Sequence, residues 1–233
     1  YNPYWQNAYF FVFGLIKDSS NLISSLNTIE FSSYGLKINQ VAMNAQFLLA
    51  AYVSPYTAIE KQLDNSISIA ANTILEILND PVEAKTLQSL DMGRIDLMMF
   101  MCIVISQCYS YDFFEKALRN IADTITGDTK TFSDEDWLKI LFISATLAAK
   151  GDSQYIDIIA KNYVDKKINL DSDQLSILLN LIYSNNFVIS SSTRQFLRLY
   201  KRKVPKKSNL NKIADLLSKG KREEAKIFNN SNR

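Results

Sequence analysis

Three clusters of side chains in this 233-residue chain are of kinds that carry chemistry. The densest carboxylate set is Asp134-Glu135-Asp136, a combination that elsewhere serves proton transfer or cation binding. Here it follows Ser133 and opens an apolar-periodic segment at Trp137, where carboxylates complement a helix dipole and its free backbone N–H groups. The alternating oxygen ligands and the glycine of a calcium loop are missing. Cys102 and Cys108 lie six residues apart in one expected helix, so their side chains point about 120° from each other. A bridge between them would break that helix, and they read as reduced core thiols. The third cluster is basic and lies near the C-terminus.

Much chemistry is excluded by what is missing. The chain has no histidine, which removes the commonest metal ligand and the side chain that titrates near neutrality. Ser-His-Asp, Cys-His and His-zinc sites are therefore impossible within it. No GxxxxGK[ST], GxGxxG, GxSxG or CxxC motif is present either. No catalytic, cofactor-binding or metal-ligating residue is assigned, and the chain is expected not to be an enzyme.

Charge is unevenly distributed. The totals of 26 Lys+Arg and 24 Asp+Glu suggest neutrality. From Arg194 onward, however, 13 basic residues face three acidic ones, so this end carries +10 and the remainder −8. Arg194, Arg198, Lys201 and Arg202 repeat at helical spacing and continue into Lys203, Lys206 and Lys207 around Pro205. One contiguous basic patch is expected. The first reading is a solvated helix face with a polar tail that could dock on the protein's own acidic surface; the others are an anionic partner, either an acidic protein or membrane surface, or the phosphates of a nucleic acid. Phe196 and Tyr200 lie four apart with Leu197 and Leu199, the pattern of a core stripe and not of a base-stacking platform.

The opposite end is aromatic. Tyr1, Tyr4, Trp5, Tyr9, Phe10, Phe11 and Phe13 crowd the first thirteen residues, more than one helix face can hold. The first reading is ordinary burial, as an N-terminal helix wrapped onto the body. The alternative is that part of this surface meets a partner, with Tyr4, Trp5, Tyr9, Phe10 and Phe13 as the candidate contacts.

The elements that must position these residues are helices. Glycine and proline are so scarce that they act as punctuation: Ser54-Pro55 and Asp80-Pro81 pair a capping residue with a proline at the first helical position, and Glu83 completes a capping-box pattern. Gly35, Gly93, Gly127, Gly151 and Gly220 each end or divide an apolar-periodic segment. Helices are predicted at 5–16, 20–31, 36–53, 55–79, 81–90, 94–109, 112–126, 134–149, 153–166, 172–185, 191–203 and 209–228, the last divisible at Gly220. No window alternates apolar and polar residues around a tight turn. The class is all-α, with about 10 to 12 helices on the spacing rules. Residues 97–111 carry no charge but are shorter than a membrane span of about 20 residues, so they are expected to form a buried central helix.

Regular helices joined by short links from residue 133 onward suggest a right-handed stack of α-hairpins, solenoid-like in character. One continuous domain over 1–233 is expected, with a subdivision into a bundle over 1–130 and helix pairs over 131–228 as the alternative. Within the second part, Ile213 to Phe228 resembles the turn of a tetratricopeptide-type helix pair. Gly220 would end the first helix there, and Ala225 would let the second pack close. The resemblance implies helix-pair stacking and carries no binding residues across.

The function expected from these features is non-catalytic: a scaffold, adaptor or assembly subunit that binds other proteins in a hetero-complex through its aromatic N-terminus and basic C-terminus. A nucleic-acid-associated protein using residues 194–207 is the first alternative. A small-ligand-binding bundle, or an enzyme without histidine, is the second. No transmembrane segment is expected. The chain begins at Tyr1 and not Met, which allows for a removed leader or anchor; the compartment stays open, with the cytoplasm favoured.

Overall fold

A computed structural model describes residues 6–127, 132–206 and 208–231. Among the described residues there are thirteen α-helices and no strand, so the protein is all-α. The helices are α1 Gln6–Leu15, α2 Ser20–Asn27, α3 Tyr34–Ala51, α4 Ile59–Asn79, α5 Pro81–Ser89, α6 Arg94–Cys108 and α7 Glu115–Thr126, then α8 Asp134–Ala149, α9 Gln154–Val164, α10 Ser172–Ser184, α11 Ser191–Lys203, α12 Asn209–Ser218 and α13 Arg222–Asn230. No single described helix is long and apolar enough to cross a membrane.

Contacts gather these helices into two compact units that part within α8, after Thr146. In the first unit, α4 is the hub, touching α2, α3, α5, α6 and α7. Its buried stripe of Leu63, Ile67, Ala70 and Ile74 follows the three-and-four spacing of the sequence. Tyr109, just beyond α6, is fully buried there; its hydroxyl meets Ser66 of α4 and donates to the Val41 carbonyl of α3 at 3.3 Å. In the second unit α11 packs between α9 and α12, and α13 follows α12.

The uncharged stretch 97–111 is not buried throughout. Leu97, Met101 and Ile105 of α6 are buried, but Phe100 and Ile103 are about half exposed. In α8, by contrast, every residue from 137 to 148 is buried. Its carboxylates are confined to the first turn, where Ser133 Oγ accepts from the Asp136 N–H at 3.0 Å and the Asp136 carboxylate accepts from the Ser133 N–H at 3.3 Å. That is a capping box, and it explains Asp136 without invoking a ligand.

Helix ends follow local chemistry closely. α5, α8, α9 and α12 each close in a Schellman motif, with the residue two beyond the last helical one in the left-handed region. Gly151 (φ 89°) and Gly220 (φ 75°) serve α8 and α12, as glycine can without a Cβ clash. Asp91 (φ 55°) and Lys166 (φ 58°) do the same for α5 and α9 at some steric cost. The expected 209–228 helix is thus divided at Gly220. Two other expectations differ from the structure. Gly35 lies inside the first turn of α3, not at a break. Ser54 does not cap α4, which starts at Ile59; its hydroxyl donates to the Lys17 carbonyl across 37 positions of sequence, a tie that holds the 52–58 link away from helical geometry.

Candidate functional site

The outer face of α11 is positioned from its N-terminus. Ser190 caps the helix by accepting from the Thr193 N–H at 3.1 Å. Asp157 of α9 accepts from the hydroxyls of Ser190 and Thr193, both at 2.5 Å, and from Ser153 at 2.9 Å. The inner face carries Phe196, Leu197 and Tyr200, all at most 1 % exposed, which is the core stripe expected from their spacing. Phe196 packs edge-on against Tyr163 of α9 at 5.7 Å.

The remaining positions turn outward, and the structure sorts the basic residues. Arg194, Arg198 and Arg202, four apart, are exposed and have no hydrogen-bond or ion-pair partner among the described residues. An open depression of about 390 Å³ lies beside the first two, walled also by Ile189, Ser191 and Gln195. Lys201 turns the other way and pairs with Asp215 of α12, which also accepts from Lys219 at 2.8 Å. Lys203 lies over the Tyr163 ring, 5.1 Å from its centroid. Lys206 is exposed beyond the helix, and Lys207 lies outside the described residues. The patch is therefore interrupted at Lys201. A stripe of three arginines is free, Lys201 between them pairs with the protein's own Asp215, and Lys203 beyond them lies exposed against a ring. Lys201, followed by Lys219, draws the Asp215 carboxyl below its usual pKa through hydrogen bonding.

Arg222, which the sequence marks only as one more charge, has a structural task. Its guanidinium donates to the carbonyls of Ile182, Tyr183 (3.1 Å), Asn185 and Phe187 (3.3 Å), closing the C-terminal end of α10. It also lies 5.3 Å from the centre of the Phe187 ring. One fork of donors thus meets the orphan carbonyls that a helix end leaves.

The aromatic N-terminus is also sorted. Tyr9 and Phe10 are about 40 % exposed, while Phe13, expected among the contact residues, is buried at 3 %. It stacks on Phe47 of α3 at 4.2 Å, because α1 lies along α3 and turns this position inward. Tyr4 and Trp5 lie outside the described residues. The two candidate surfaces belong to different units, Tyr9 and Phe10 to the first and the arginine stripe to the second. Among the described residues no group of Cys, Asp or Glu side chains is placed to hold a metal ion.

A family model described as NACHT C-terminal Helical domain 1 matches residues 46–221. No tetratricopeptide family matches, so what stands of that resemblance is the paired helices around Gly220, with Ala225 fully buried between neighbours. Neither a curated protein nor a solved structure matches the chain. The matched stretch starts within α3 and runs to Lys221, so it contains all of α11, while α1 and α2 precede it.

Proposed function

The chain belongs to the NACHT C-terminal Helical domain 1 family, and from that premise we propose that it is a non-catalytic interaction module of a NACHT-type protein. The module engages an acidic protein surface through Arg194, Arg198 and Arg202. The observation that carries this reading is the contrast along α11: the three arginines have no partner of their own, whereas Lys201 and Lys203 are already occupied. Arginine suits such a surface, since its planar fork pairs with carboxylates in two-point geometry.

Nucleic acid is the weaker reading for the same face. Stacking on bases needs exposed aromatic rings, and Phe196 and Tyr200 are buried behind the stripe. Three free arginines would neutralise about three phosphates and give a log–log salt slope near −3 on duplex DNA. Fluorescence anisotropy of the full chain against a labelled acidic polypeptide and against duplex and single-stranded oligonucleotides separates the two. The protein reading expects the polypeptide to bind, and the R194E/R198E double variant to bind it at least about tenfold more weakly. Tight oligonucleotide binding with the steep slope would favour the second reading. Binding to neither at low salt would overturn the function proposed for this face.

A further inference from the structure

The first unit contains a cavity of about 470 Å³, open to solvent on one side, between α1, α2, the link that follows α2, and α3. Its floor includes the stacked rings of Phe13 and Phe47. Apart from the amides of Asn39, Gln40 and Asn44, every residue lining it is apolar or aromatic, and none is charged. The size and lining are those of small-molecule sites, which run from about 300 to 1,000 Å³ with a few fixed polar groups among apolar walls.

The amides define what could bind. Gln40 donates through Nε2 to the Leu26 carbonyl at 2.8 Å, and Asn44 through Nδ2 to the Asn27 side-chain oxygen at 2.6 Å. These bonds tie α2 to α3 and use the donors. The side-chain oxygens of Gln40 and Asn44 have no partner among the described residues, although Asn44 is 1 % exposed. At the other end of the same bond, the Asn27 Nδ2 is buried and without a partner. Asn27 does not line the cavity, so the open group that a bound molecule there can meet is the Asn44 acceptor. A hydroxyl supplies the donor that this acceptor lacks.

We propose that the α1–α3 cavity is a binding site for a single uncharged small molecule with a hydrocarbon body and one hydroxyl. The body fills the Phe13–Phe47 side, and the hydroxyl lies against Asn44. An anionic relative is rejected, since no cation lines the wall to offset the desolvation of a buried carboxylate. This proposal is independent of the α11 surface, which lies in the other unit.

The test uses the full chain with Nile red as an uncharged fluorescent reporter, displaced by 1-decanol or by decanoate. Expected are saturable one-to-one reporter binding and displacement by decanol at least about tenfold stronger than by decanoate. Met43→Trp places an indole in the cavity and is expected to weaken reporter binding about tenfold or more while the far-ultraviolet dichroism of the helices is retained. If that variant does not fold, Leu36→Trp, from a residue 44 % exposed at the rim, serves the same purpose. The proposal is overturned by any of four results: no saturable binding, which would mean the cavity is filled by other protein; many-site binding; equal displacement by decanoate; or undiminished binding in the folded tryptophan variant.

Discussion

Asp157 of α9 and Thr193 of α11 are joined by a 2.5 Å hydrogen bond, with the threonine hydroxyl donating from a fully buried position. Through this bond and its neighbour at Ser190, one carboxylate sets where α11 begins and hence which way its arginines turn. Asp157→Ala removes the acceptor and strands the Thr193 hydroxyl, at a cost of about 1–3 kcal/mol in urea unfolding. Adding Thr193→Val to that variant recovers part of the loss, because the stranded donor is gone.

Arg222 closes α10 through four backbone carbonyls. Replacing it with alanine is expected to destabilise the chain by about 2–3 kcal/mol, the range for hydrogen bonds to a charged donor. Arg222→Lys recovers only a minor part, since a point charge cannot reach carbonyls on both arms of the fork. Chemical denaturation of the three proteins side by side gives the order.

The Tyr109 hydroxyl is held by Ser66 and Val41 in a dry site, and burial pushes the phenol well above its ordinary pKa. Tyr109→Phe strands Ser66 and is expected to lose about 1 kcal/mol. The double variant Tyr109→Phe with Ser66→Ala should lose less than the sum of the single changes. A double-mutant cycle in urea measures that coupling.

Some caps and breaks of these helices were legible from single residues. Asp80 accepts from the Val82 and Glu83 N–H groups at the start of α5, and Gly220 divides α12 from α13 as its backbone freedom suggested. Contacts made at a distance were not. Lys201 is diverted by an aspartate fourteen residues on, and Ser54 by a carbonyl 37 residues back; no helical periodicity encodes either. The helical spacing groups Arg194, Arg198, Lys201 and Arg202 together, but which of these charges remain free is a property of the packed unit. The cavity had a faint signal in Asn39, Gln40 and Asn44, three amides close together in a mostly apolar α3.

Asp215 supplies a pH-dependent contribution. Lys201 and then Lys219 hold its carboxyl below the value of an unfolded chain, so its stabilisation is complete above about pH 4 and is lost as pH falls through the lower folded value. Asp215→Asn is expected to destabilise by roughly 0.5–1 kcal/mol near neutrality, a modest figure because both lysines are partly solvated. Thermal melts across pH should show the gap closing as pH falls below the ordinary carboxylate range and the parent loses the same charge.

Lys166 ends α9 in the left-handed region, where a Cβ is unfavourable. Lys166→Gly is expected to raise stability by about 0.5 kcal/mol, the steric gain exceeding the added freedom of the unfolded chain. The same change at Gly220 reversed, Gly220→Ala, should lower it by about 1 kcal/mol. Both are read from denaturant midpoints.

The family match ends at residue 221, one position short of the arginine that closes α10. A recombinant fragment trimmed to that limit would expose the 182–187 carbonyls and uncover the groove that Ala225 fills. For anyone choosing an expression boundary, the folded unit reaches at least one helix further than the family's sequence signature.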